Sequence, residues 1–153
     1  MLVGDIMHGD VKTASTQDSF ADVAKMMRTN GISSVVVLDG KKLVGIVTER
    51  DIVNLVAAGG DPNSTTVEHG MTRRDLVTIS PKASLTEAAA AMVSRNIRHL
   101  PIVEGDNVVG IISIRDMTRW AAEELSTGHE MPDIAGSQAA LQAASELQRQ
   151  RGA

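Results

Sequence analysis

Two short stretches present a hydroxyl, a guanidinium and a carboxylate in the same order. Thr48-Glu49-Arg50-Asp51 closes the run VGIVTERD, and Ser113-Ile114-Arg115-Asp116 closes VGIISIRD. In each, an apolar segment ends at Thr or Ser and an acid follows three residues later, the spacing of a helix capping box. Capping explains the hydroxyl, which accepts from a backbone N–H two or three residues on, and the acid, which suits the positive helix end. It does not require Arg50 or Arg115, which on that account are solvated surface side chains. A ligand reading uses the same groups. A helix N-terminus with free N–H groups, a hydroxyl and an arginine attracts an anion such as phosphate. An ionised carboxylate accepts from a vicinal diol such as the two ribose hydroxyls. The set reads as a mononucleotide clip, written twice.

The elements that must position these clips are themselves duplicated. The offset between the two copies is 65 residues and holds without a gap from Asp10/Asp75 to Val53/Thr118. Thr13 matches Thr78, Ser19 matches Ser84, Met27 matches Met92, and Gly40 matches Gly105. Upstream, Val3 and Met7 match Val67 and Met71 with the offset slipped to 64. Each copy begins with a short extended segment, Val11 to Ala14 or Leu76 to Ile79. Ser19 with Asp22, and Ser84 with Glu87, then open a helix. Phe20, Val23, Ala24 and Met27, and likewise Leu85, Ala88, Ala89 and Met92, give it one apolar face. Residues 32–38 and 97–103 read as strands, Asp39-Gly40 and Glu104-Gly105 as turns, and residues 42–47 and 107–112 as the returning strands. A second helix follows in each copy. The order is strand, helix, strand, strand, helix, twice, a mixed α+β fold.

The expected organisation is a first motif over 1–58, a linker over 59–66 (marked by GGDPNST), a second motif over 67–125 and a tail over 126–153. Polar residues from Thr127 to Glu130 and Met131-Pro132 introduce the tail. Its weak stripe of Ala140, Ala143, Ala144 and Leu147 suggests a marginal helix or disorder, because alanine buries little surface.

Composition narrows the function. The net charge of −4 gives no basic field for nucleic acid or anionic lipid. Phe20 and Trp120 are the whole aromatic set, too few for base stacking on single strands. With no cysteine there is no disulfide, thiolate nucleophile or Cys-ligated metal. His8, His69, His99 and His129 are too widely spaced for a metal site. No membrane span or secretory signal is visible, so a cytoplasmic location is expected. No nucleophile elbow or phosphate loop appears, and no catalytic residue is assigned.

The duplicated VGIVTERD and VGIISIRD, with their preceding Thr, Ile-Ser or Ile-Arg and hairpin elements, resemble the CBS domain (cystathionine β-synthase domain) occurring as a tandem pair, a Bateman module. The resemblance covers about Val3 to Trp120. It implies two βαββα repeats related by a pseudo-twofold, with packed sheets and clefts between the halves. Such clefts typically hold AMP, ADP or ATP, and S-adenosylmethionine or NADH are further candidates; no cofactor is required. By motif position Asp51 and Asp116 would hold ribose, while Thr48, Ser113, Arg50 and Arg115 would meet phosphate. Thr13, Thr78, Ile79, Ile32, Ser34, Ile97, His99 and Pro101 would wall the base. The copies differ: Ser34 stands where the second has His99, Val36 where it has Pro101, and Glu49 where it has Ile114. Their affinities should therefore differ. The resemblance further implies a homodimer and an effector protein of unknown identity, with Met117 and Trp120, or Ile52 and Val56, as interface stripes. On this reading the chain is a stand-alone sensor and not an enzyme. The alternative is a homodimeric scaffold in which the motifs are only caps.

Overall fold

The computed structural model describes residues 1–74, 76–128 and 133–152. Asp75, His129, Glu130 and the Met131-Pro132 step lie outside the described residues. In chain order the elements are α1 (Val3–Ile6), β1 (Thr13–Ser15), α2 (Phe20–Asn30), β2 (Ser34–Asp39), β3 (Lys42–Thr48) and α3 (Glu49–Ala57). A single 3-10 turn over Val67–His69 follows, then α4 (Leu85–Arg95), β4 (His99–Glu104), β5 (Asn107–Ser113), α5 (Ile114–Ser126) and α6 (Ile134–Gly152). None of the described helices is long and apolar enough to cross a membrane.

These elements form two compact units, Asp10–Leu76 and the described residues of 1–9 with 77–153. The division does not follow the ends of the sequence repeats. Val3, fully buried, joins the core of the unit built from the second repeat, anchored by Val3 N–H to Ala83 O and Gly4 N–H to Pro81 O, both 2.8 Å. Its repeat counterpart Val67 joins the core of the other unit, donating to Asp18 O at 2.8 Å. Each repeat's leading segment is thus packed on the body of the other repeat.

In the unit Asp10–Leu76, β1 pairs parallel with β2 and β2 antiparallel with β3, in the order β1-β2-β3. β-branched residues fill the middle of the sheet. Val35, Val37 and Val47 are fully buried and pack with Phe20, Val23 and Met27 of α2. The apolar spacing on α2 produces this contact. Ser19 starts the helix by accepting from Asp22 N–H at 3.1 Å, and Gly31 ends it with φ of 63°, a left-handed value that glycine adopts without penalty.

In the other unit β4 and β5 form a two-stranded hairpin. The extended segment expected over residues 76–79 is reduced to one parallel bridge, Ile79 to Ile102, with Ile79 N–H donating to Pro101 O at 3.1 Å. Ser84 and Glu87 close a reciprocal capping box at the start of α4.

The tail expected to be weakly helical or disordered is a 19-residue helix, α6, packed against α4 and α5. Gly136, Ser137, Ala140, Ala143 and Leu147 are buried along its inner face. Small residues bury little surface each, but they let the helix axis come close, and Leu147 fills the end of the contact. Arg98 adds a bond to the helix backbone, its guanidinium donating to Leu147 O at 2.7 Å. The consequence for the expected interface stripes is direct. Met117 is fully buried in one core with Ala140, Ala143 and Leu147, so it is not an exposed stripe. On α3, Ile52 is half-buried and packs against the core of its own unit, so it too is not an exposed stripe, while Val56 remains 57% exposed.

Candidate functional site

Each unit carries one strand-to-helix turn of the expected type. In the first, Ser34 and Thr48 are cross-strand partners in the β2–β3 ladder, and α3 begins at the next residue. Thr48 N–H and the Thr48 hydroxyl both donate to the same carboxylate oxygen, Asp51 Oδ2, at 2.8 and 3.2 Å. This leaves Asp51 Oδ1 with no hydrogen bond among the described residues. Burial raises the Asp51 carboxyl above its ordinary range, only partly opposed by the Thr48 bonds and the Arg50 charge. The group is therefore an oriented carboxylate short of donors.

The second turn has the same frame. His99 and Ser113 are cross-strand partners, Ser113 N–H and Oγ donate to Asp116 Oδ2 at 2.8 and 2.6 Å, and Asp116 N–H returns a bond to Ser113 Oγ at 3.2 Å. Here, however, Asp116 Oδ1 is also engaged, by His8 Nε2 at 2.9 Å. Burial again pushes the carboxyl up, but the Ser113 and His8 bonds outweigh it and hold Asp116 below the ordinary carboxylate range. His99 is pushed down to about 4 by burial, with Arg115, Arg98 and Arg151 adding to the effect and Asp116 opposing it. Its ring is neutral at pH 7 and can both donate and accept.

The expected site residues fall into two sets. Ser34, Thr48 and Asp51 are joined by register and hydrogen bonds. Thr13 is exposed on β1, opposite Val36, two positions along β2 from Ser34. Ile32 is half-buried just before β2, held by its N–H to Met27 O at 3.0 Å. In the other unit His99, Ser113 and Asp116 are joined in the same way. Pro101 is buried opposite Ile111, Ile79 bridges to the same strand, Ile97 is half-buried and Thr78 exposed. Arg50 and Arg115 are exposed and form no ion pair among the described residues. One expectation needs narrowing. The first N–H of each helix is not free, since Glu49 N–H donates to Ser33 O at 3.1 Å and Ile114 N–H to Arg98 O at 2.9 Å. An anion would have to be met by later N–H groups and the arginines.

His8 was not legible as a site residue from its chemistry alone. Its signal was the slipped repeat offset, which aligns His8 with Thr72. Both make the same antiparallel bridge, His8 to Ile111 and Thr72 to Ile46. Beside them Met7 and Met71 seat on matching glycines: a Cβ on Gly110 or Gly45 would lie 2.6 Å from the methionine sulfur. No group of three or more His, Cys, Asp or Glu side chains among the described residues is placed to hold a metal ion.

This doubled strand-to-helix frame is matched by known proteins. The sequence model of the CBS domain matches residues 3–58 and again 67–123, and the chain belongs to the CBS domain family. It is 31% identical to the CBS domain-containing protein YhcV of Bacillus subtilis over 132 residues, covering 86% of this chain and 94% of YhcV. It is 32% identical over 117 residues to the uncharacterized protein MK0525 of Methanopyrus kandleri, covering 75% of this chain but only 60% of that protein's length. Among solved structures it resembles the CBS domain pair of protein MJ0100 in complex with 5′-methylthioadenosine and S-adenosyl-L-methionine. That match has a TM-score of 0.73 at 31% identity and covers 80% of this chain and 97% of that one. The fold is that of a CBS domain pair.

Proposed function

We propose that this CBS pair is a regulatory sensor that binds an adenine nucleotide, AMP, ADP or ATP, and transmits occupancy to a partner protein. The observation that carries the proposal is the Asp51 carboxylate, one oxygen fixed by Thr48 and the other without a donor among the described residues. Two adjacent ribose hydroxyls supply the missing donors, and Arg50 supplies charge for a phosphate. The complex of the MJ0100 pair with two adenosyl compounds supports the same ligand class. S-adenosylmethionine and NADH remain within that class. The remaining parts of the proposal are a homodimer, a cytoplasmic location, an effector partner and no catalytic role of its own.

A scaffold is the second reading, favoured by the bonds that Thr48 and Ser113 already make to Asp51 and Asp116, which would persist without a ligand. Thermal unfolding with AMP, ADP, ATP, S-adenosylmethionine and NADH separates the two. A ligand at a hundred times its Kd stabilises by about 2.7 kcal/mol, a shift of several degrees. An unchanged melting temperature with all five at millimolar concentration would leave the scaffold.

A further inference from the structure

The two aspartates, at matching positions of the two repeats, are not equivalent in the structure. Asp51 Oδ1 has no partner among the described residues, whereas Asp116 Oδ1 is taken by His8. The difference lies in the segment that precedes each repeat. His8 and Thr72 occupy matching positions on matching backbone bridges. His8 N–H donates to Ile111 O at 3.1 Å and Ile111 N–H to His8 O at 3.2 Å; Ile46 N–H donates to Thr72 O at 3.0 Å and Thr72 N–H to Ile46 O at 2.9 Å. The frame is the same, but the shorter Thr72 side chain makes no bond to Asp51.

We propose that His8 is a built-in competitor for the ribose-binding oxygen of Asp116, so that the second site binds more weakly when this imidazole is protonated, while the first site has no such competitor. This rests on the nucleotide reading above and assigns the two sites different regulation. The ring is 61% exposed while its carboxylate partner is 16% exposed, so the imidazole can swing into solvent and leave the acceptor behind. A protonated ring holds the carboxylate by an ion pair as well as a hydrogen bond, and a neutral ring by the hydrogen bond alone. Asp116 also acts on His99, which in turn feels Arg115 on α5, Arg98 just before β4 and Arg151 on α6. Asp5 on α1 is turned to Leu2 N–H. The arginines keep their charge at all relevant pH, His99 is held neutral down to about 4, and Asp116 stays ionised. Histidine is the side chain whose ordinary titration falls between pH 5 and 8, so the test compares binding on the two sides of that range.

The test is calorimetric titration with 5′-methylthioadenosine, which has the ribose diol but no phosphate to titrate, at pH 6.0 and 8.0. Asp51→Ala isolates the second site and Asp116→Ala the first; circular dichroism checks folding at each pH. The Asp51→Ala protein is expected to bind roughly three- to ten-fold more weakly at pH 6.0 than at pH 8.0. Adding His8→Thr, the residue found at the matching place, should remove that dependence and tighten binding at pH 6.0. Installing Thr72→His in the Asp116→Ala protein should create the dependence at the first site. Equal pH dependence with and without His8 overturns the proposal, and so does a second site that binds no more tightly at pH 6.0 after His8→Thr while the first site binds. Binding by no form of the protein at millimolar probe overturns the nucleotide reading, and this inference with it.

Discussion

Acidification is expected to loosen the unit that contains His99, and the size of the effect follows from the burial of one ring. In the unfolded chain histidine takes up its proton near 6.5. In the folded unit His99 does so only near 4, because the charged ring loses solvation and faces Arg115, Arg98 and Arg151. Between these values the unfolded chain binds the proton and the folded unit does not. The stabilisation is therefore complete above pH 6.5 and is lost as pH falls toward 4. It amounts to about 2 kcal/mol lost by pH 5.0 and about 3 kcal/mol below pH 4. Asp116, held low, loses its own contribution only below the ordinary carboxylate range, outside this window. Trp120 is the sole tryptophan and packs against the core of this unit, so its fluorescence reports the right transition. Urea unfolding at pH 7.5 and 5.0 should show the loss in the wild type. The same experiment on His99→Ser, which carries the residue of the matching position, should show about 2 kcal/mol less dependence on pH. Equal pH dependence in the two proteins would refute the reasoning, whatever their absolute stabilities.

Two further outcomes test the packing. Leu147→Ala should cost about 2–5 kcal/mol in Trp120-monitored unfolding, because Leu147 is 1% exposed and closes the contact of α6 with the core. Gly45→Ala should destabilise the unit Asp10–Leu76 by about 1–3 kcal/mol, because its Cβ would meet Met71 Sδ at 2.6 Å and Thr72 O at 3.0 Å. Faster hydrogen exchange at Ile46 and Thr72 N–H would register that change.

Much of this architecture was legible because it is local. Ser19 and Ser84 cap helices where the Ser-x-x-acid spacing placed them, and the Asp39-Gly40 and Glu104-Gly105 turns join the strands they were expected to join. The carboxylate–hydroxyl pairs of Thr48 with Asp51 and Ser113 with Asp116 are likewise contacts between residues three apart. What the sequence hid depends on distant partners. The docking of α6 was obscured because alanines give a weak apolar stripe, and close approach depends on what faces them. The exchange of Val3 and Val67 between repeats was hidden because each fits an apolar position in either core. His8 was missed for a similar reason: its partner lies 108 residues away, and only the register of the bridge to Ile111 brings them together.

The most direct test of the central claim is isothermal titration of the wild type, Asp51→Ala and Asp116→Ala with AMP at pH 8.0. The account expects saturable binding by the wild type. It also expects loss of one class of sites in each variant, with affinity there reduced at least about ten-fold because the charged acceptor for the diol is gone. Absence of binding heat in the folded wild type, or binding unchanged in both variants, would contradict it.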